Sequence, residues 1–292
     1  MQLGPSVRPK LSTGERRLQR AEALHAQAVR FTAQGQYSRA ATAFRRAISL
    51  TNDHPRRSRT ILAAILNDFG ILSKYTGRFR RARRLYERAR KLMPRDDPRF
   101  NQFRATLYHN LAGLEHARGQ HARALLHARE GIRLRRRLRG NDHSALEADQ
   151  AALAAILVEL GSLREAEKIY LRLLPVYCRR FGPKHYETGS LLSNLGALYA
   201  KTGRLHAAER TLRHAAAALE CALSKNHPRL ASLLNNLASL CVRRGKFAEA
   251  DALYARVLRL LARQIGPTYP SIVLVRANRR KLKHAIRDVG RR

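Results

Sequence analysis

Tryptophan is absent from the sequence, and aromatic residues make up only 6% of it. Valine and isoleucine are few beside alanine and leucine. A sheet draws on β-branched and aromatic side chains to fill its pleated faces, whereas Ala and Leu lose little on entering a helix, so the composition favours helices. No stretch approaches 18 uncharged apolar residues, so no membrane span is expected. The start of the chain lacks the apolar run of a secretory signal, and residues 1–16 read as a basic, flexible N-terminus. Cysteine is scarce too. Cys178, Cys221 and Cys241 are odd in number and show no metal or redox spacing. They read as buried or semi-buried apolar residues in a reducing, cytoplasmic setting.

Acidic residues are the remaining shortage: 21 Asp and Glu stand against 58 Lys and Arg, for a formal net charge of +37. Only ten of the basic residues are Lys. A codon bias toward Arg and Ala is one source of this imbalance. A polyanionic partner, such as an acidic peptide, nucleic acid or an anionic surface, is the other. Codon bias accounts for Arg in place of Lys but less well for the missing acids.

What is present is a period. Gly35, Gly77, Gly119, Gly161, Gly203 and Gly245 recur at one constant interval without insertion. Five residues after each stands Ala40, Ala82, Ala124, Ala166, Ala208 or Ala250, and seven before each stands Ala28, Gly70, Ala112, Ala154, Gly196 or Ala238. The Gly closes one helix in a left-handed turn, and the small residues let two antiparallel helices approach. Apolar residues recur at helical spacing on both sides, as in Phe247, Ala250, Leu253, Tyr254 and Val257. Each unit is therefore helix, tight turn, helix. One hairpin cannot bury its apolar face alone, so the hairpins stack. The repeats run 17–58, 59–100, 101–142, 143–184, 185–226 and 227–268, and 269–292 forms a capping helix and basic tail. Two irregularities fall mid-array. Pro175 should kink or shorten its helix, and Gly131 at an Ala-like position should loosen its interface.

These columns resemble the tetratricopeptide repeat over residues 17–268. The 42-residue length, loops such as SerLysAsnHisPro at 224–228, and the runs AsnLeuGlyAlaLeuTyr at 194–199 and AsnAsnLeuAla at 235–238 resemble its kinesin-light-chain subtype. Kinesin light chains carry a heptad segment ahead of the array, which the basic N-terminus here does not match, so a motor subunit is not expected. The resemblance implies an all-α, right-handed superhelical solenoid of six helix-turn-helix repeats plus a C-terminal capping helix. It also implies a scaffold rather than an enzyme.

No catalytic signature stands against that implication. There is no phosphate-binding Gly-rich loop, Gly-x-Ser-x-Gly elbow or His-Glu-x-x-His pair. His143, His185 and His227 recur at the repeat period and read as loop-structural residues. No metal or cofactor is expected.

The expected working surface is a concave groove lined by the first helix of each repeat. Residues nine and ten before the turn Gly face it, and these include Asn67, Asp68, His109, Asn110, Ser193, Asn194, Asn235 and Asn236. In the resembled family, Asn at these positions holds an extended peptide, because an amide donates and accepts at once. Asn110, Asn194 and Asn236 match that pattern, whereas Ala26, Asp68 and Ala152 do not. The other reading is that these Asn bridge adjacent first helices. Lys74, Lys201 and Arg243, with Tyr75, His109 and His116, would give the groove its positive charge. The densest charge lies on second helices, and residues 78–140 hold 19 Lys and Arg against five Asp and Glu. The expectation is an interaction scaffold for an acidic peptide or partner domain. The alternative is a nucleic-acid accessory that tracks the backbone through Arg80, Arg81, Arg83, Arg84, Arg133, Arg135, Arg136 and Arg137. Stacking readout is poorly supported, because these runs interleave no free aromatic side chains.

Overall fold

The computed structural model describes residues 12–51, 58–94, 97–138, 143–262 and 270–289. Residues 1–11, 52–57, 95–96, 139–142, 263–269 and 290–292 lie outside the described residues. Contacts divide the chain into two compact units: residues 1–75 with 80–97, and residues 76–79 with 98–292. The first carries α1 (Thr13–Ala33), α2 (Tyr37–Thr51), α3 (Arg59–Tyr75) and α4 (Phe79–Leu92). The second carries α5 (Asn101–Ala117), α6 (His121–Arg136), α7 (His143–Glu159), α8 (Leu163–Phe181) and α9 (Tyr186–Lys201). It continues with α10 (Leu205–Leu223), α11 (Ala231–Arg243), α12 (Phe247–Ala262) and α13 (Pro270–Val289). Short 3₁₀ turns at Pro98–Phe100 and Pro228–Leu230 lead into α5 and α11. No strand occurs among the described residues. Each unit is built of antiparallel helical hairpins, so the fold is an all-α repeat solenoid.

The six turn glycines have φ between 70° and 84°, where an L side chain is strained. Behind the turn, the residue after the Gly donates its backbone N–H to the carbonyl five residues earlier. Ser162 to Leu157, Arg204 to Tyr199 and Lys246 to Cys241 all do so at 2.9 Å. That bond satisfies a helix-terminal carbonyl and reverses the chain. The Ala column five residues on is wholly buried in all six repeats. Gly70 and Gly196 mark the closest hairpins. A Cβ on Gly70 would stand 2.3 Å from the Tyr86 ring, and one on Gly196 would stand 2.7 Å from Leu212.

The loops carry their own caps. His185 and His227 are N-caps whose Nδ1 atoms accept from the backbone N–H of Glu187 at 3.2 Å and Arg229 at 3.1 Å. These two loop histidines are structural. α1 starts with a reciprocal capping box between Ser12 and Glu15, which satisfies two otherwise orphaned donors. At the far end α13 packs Ile272, Val275 and Leu282 into the last core. Arg279 clamps Asp251 of α12 with bonds of 2.6 and 2.8 Å. Those bonds hold the Asp251 carboxyl below its usual range.

Three expectations are corrected. Pro175 does not shorten its helix, since α8 runs 19 residues, the same as α10. Pro175, which takes the helical donor away from the Leu171 carbonyl, lies with Leu171 on the exposed face of α8. Gly131 does not leave a gap. The space at its Cα is bounded by the Ala105 carbonyl and Tyr108 Cβ, both 3.4 Å from an added Cβ. Cys221 is exposed rather than buried. Cys241, in contrast, is buried, and burial pushes its thiol up to about 11.

Candidate functional site

In the first unit the expected groove positions are taken up by internal bonds. His25 Nε2 lies 2.7 Å from Asp68 Oδ2, joining α1 to α3. Asn67 is buried, and its Nδ2 donates to Asp68 Oδ1 at 3.0 Å. Asn67 is thus a buried amide that bonds to a neighbour within its own repeat rather than an open one. Lys74 is half-buried, with its ammonium 5.4 Å from the centre of the Tyr75 ring.

In the second unit a polar network joins three helices. Asp149 of α7 is 3% exposed and Arg135 of α6 is 8% exposed. Arg135 Nε donates to Asp149 Oδ2 at 2.7 Å, and His109 Nδ1 of α5 lies 2.8 Å from Asp149 Oδ1. Arg135 is therefore not part of a nucleic-acid surface, and His109 is engaged rather than free. A buried carboxylate requires such partners. Asn110 is also buried. The half-buried His116 meets the His121 ring edge-on at 5.3 Å. The sequence held a signal for this network. Asp149 lies four residues before Leu153 and seven before Ile156, which puts a charge on the apolar stripe of α7.

Lys201 and Arg243 share a position two residues before the turn Gly, and each reaches back one repeat. Lys201 Nζ donates to the Val158 carbonyl at 2.9 Å, and Arg243 Nη1 donates to the Ala200 carbonyl. Both carbonyls lie in the last turn of the preceding first helix, where a cation complements the helix dipole. The two cations stitch neighbouring repeats together while staying exposed.

Asn194 on α9 and Asn236 on α11 stand apart from all of these. They hold equivalent positions in successive repeats, on helices that pack side by side. Both are half-buried, and among the described residues neither amide makes a hydrogen bond. Beside them, the Oδ1 of Asn235 is buried without a hydrogen-bond partner. An amide in this state has a donor and an acceptor to offer to a peptide group.

The second-helix arginines divide into several kinds. Arg80, Arg83, Arg84, Arg136 and Arg137 are exposed. Arg81 is half-buried, with its guanidinium 5.7 Å from the centre of the Phe69 ring. Arg133 forks onto Glu130 with bonds of 2.7 and 2.5 Å, which hold that carboxyl below its usual range. Among the described residues no group of three or more His, Cys, Asp or Glu could hold a metal ion, and no helix is long and apolar enough to cross a membrane.

Comparison with known families and structures converges on one fold. The MalT-like TPR region family matches residues 10–183, and two further tetratricopeptide repeat families match 147–220 and 233–266. Comparison with curated proteins returned no match. The Rap protein complexed with Competence and Sporulation Factor is 14% identical, with a TM-score of 0.60, covering 95% of this chain and 78% of that one. BtubC (BKLC) from P. vanneervenii is 21% identical, with a TM-score of 0.52, covering 86% of this chain and 92% of that one. TPR-like repeats assigned to a kinesin light chain of Podosopora anserina are 20% identical, with a TM-score of 0.46, covering 72% of this chain and 97% of theirs. At these identities the first two likenesses speak for the fold, and they agree with the unbroken Gly and Ala columns. The chain belongs to the tetratricopeptide repeat family, within its MalT-like TPR region group.

Proposed function

We propose that this protein–protein interaction scaffold holds an extended, acidic peptide along the first-helix face of the 98–292 unit, with Asn194 and Asn236 on the peptide backbone. The observation that carries this reading is the pair of half-buried amides, one repeat apart, that make no hydrogen bond among the described residues. Packed helices lie about 8–10 Å apart and an extended chain rises about 3.3 Å per residue, so the two amides would meet peptide groups about three residues apart. Acidity follows from charge. The chain carries +37, and Arg243, on the same helix as Asn236, has donors beyond the one given to Ala200, while Lys201 also pairs with Glu159 at 3.5 Å. The free cysteines Cys178, Cys221 and Cys241 suit a reducing, cytoplasmic setting.

The test is fluorescence polarisation with labelled extended peptides of acidic, neutral and basic composition. Acidic peptides should bind tightest. Asn194→Ala with Asn236→Ala should weaken the best binder about tenfold or more, as expected for two lost amide contacts, without lowering the thermal midpoint. Unchanged affinity would refute the reading. So would an unfolded double variant, which would make these amides structural.

A further inference from the structure

A second feature of the 98–292 unit is independent of the peptide reading. Between α6 and α8, above α7, lies an open cleft of about 620 Å³. Each helix contributes one face. From α6 come Arg129, Ile132, Arg133 and Arg136, and its C-cap Arg137 continues the i, i+3, i+4, i+7 and i+8 spacing. From α8 come Glu165, Ile169 and Arg172, and from α7 come Gln150 and Leu153. The apolar members form a floor: Ile132 is buried, while Leu153 and Ile169 are half-buried. The five arginines are exposed around it, and Glu165 is the one carboxylate in the lining.

The arginines are only partly neutralised. Arg133 is held by Glu130, and Arg172 Nη2 donates to Gln150 Oε1 at 3.1 Å. Those bonds fix two guanidinium groups in place. Arg129, Arg136 and Arg137 make no ion pair among the described residues. A cation near a helix C-terminus has a structural use, and that accounts for Arg133 and Arg136. It does not account for Arg129 in mid-α6 or Arg172 in mid-α8, which converge on the same space from two helices. Like charges brought together repel, and a bound polyanion relieves that repulsion.

We propose that this cleft binds a nucleoside polyphosphate. The guanidinium forks suit adjacent phosphate groups, which they can bind in a bidentate way. The floor of Ile132, Leu153 and Ile169 suits the flat face of a base. Glu165 and the amide of Gln150 offer the acceptor and donor that a base edge requires. A cleft of this volume falls within the range of small-molecule sites. No aromatic side chain lines it, so a stacking track for a single strand is absent from this site.

Isothermal titration at about 150 mM salt would compare ATP, GTP, sodium tripolyphosphate and a single-stranded oligonucleotide on the full chain. A nucleoside triphosphate should bind one per chain and more tightly than tripolyphosphate, because only the nucleotide uses the floor. Arg136→Gln with Arg137→Gln should weaken it about tenfold or more. Arg83→Gln with Arg84→Gln removes the same charge from exposed positions on α4 and should change it less than about twofold. Arg136→Lys with Arg137→Lys keeps the charge and the fold, and should still weaken binding several-fold because an ammonium cannot fork. Equal losses in the two glutamine variants would overturn the proposal. So would tripolyphosphate binding as tightly as nucleotide, or tight oligonucleotide binding that excludes the nucleotide.

Discussion

Where α10 to α13 meet, the interior is mostly leucine. Leu230, Leu233, Leu234, Leu237 and Leu240 pack with Tyr254, Val257 and Leu282. Where α5 to α7 meet, the small residues Ala112, Ala124 and Ala128 pack with Ile156, and Leu107, Leu111, Leu114 and Ile132 are buried on the same helices. The two regions share one period and one unit, but the second adds to its apolar packing the Arg135–Asp149–His109 network, which ties three helices together. The period fixes where helices lie, and different chemistry can then hold them. Fully burying each leucine is worth about 1.5–3 kcal/mol. A buried ion pair gives little net stability, yet it is costly to break, because the surviving charge is left uncompensated.

The largest expected effect breaks that comparison at its polar end. Asp149→Ala should cost about 3–5 kcal/mol locally, because Arg135 stays buried without its carboxylate. Repeat arrays do not unfold in one step, so the measurement is hydrogen exchange by segment. Protection should fall in α5 to α7 and stay nearly unchanged in α11 to α13. A uniform loss would show that the two regions do not differ in this way.

A smaller effect compares one tyrosine column along the chain. The Tyr170 and Tyr86 hydroxyls are buried without a hydrogen-bond partner, and burial pushes both phenols well above their usual range. Tyr254, at the equivalent position, has its hydroxyl 3.2 Å from Ser239 Oγ. The residue equivalent to Ser239 is Ala155 for Tyr170 and Ile71 for Tyr86. Tyr254→Phe should therefore cost about 1 kcal/mol, while Tyr170→Phe should be neutral or stabilising, because it removes an unsatisfied group. Urea unfolding of the two variants checks the sign. An equal loss in both would mean that Tyr170 has a partner in solution.

The turns and the Ala column were legible because their causes are local. A left-handed φ selects Gly, and a wholly buried position between two packed helices selects Ala. Pro175 was misread because its consequence depends on exposure, which the helical pattern does not report. The site was less legible. Asn67, Asn110, Asn194 and Asn236 look alike in the sequence, but their availability depends on neighbours from other helices. Asp68 takes the donor of Asn67, while no described residue bonds to Asn194 or Asn236. Lys201 and Arg243 read as groove charges because the carbonyls they reach belong to the preceding repeat, a relation that shows up only once the repeats are stacked.

The central claim is that Asn194 and Asn236 are open to a peptide backbone. Side-chain amide NMR of the ¹⁵N-labelled chain during titration with the best acidic peptide tests it most directly. The NH₂ resonances of Asn194 and Asn236 should shift together and saturate with one peptide per chain, while that of the exposed loop residue Asn226 stays in place. Saturable binding with both amides unmoved would contradict the account.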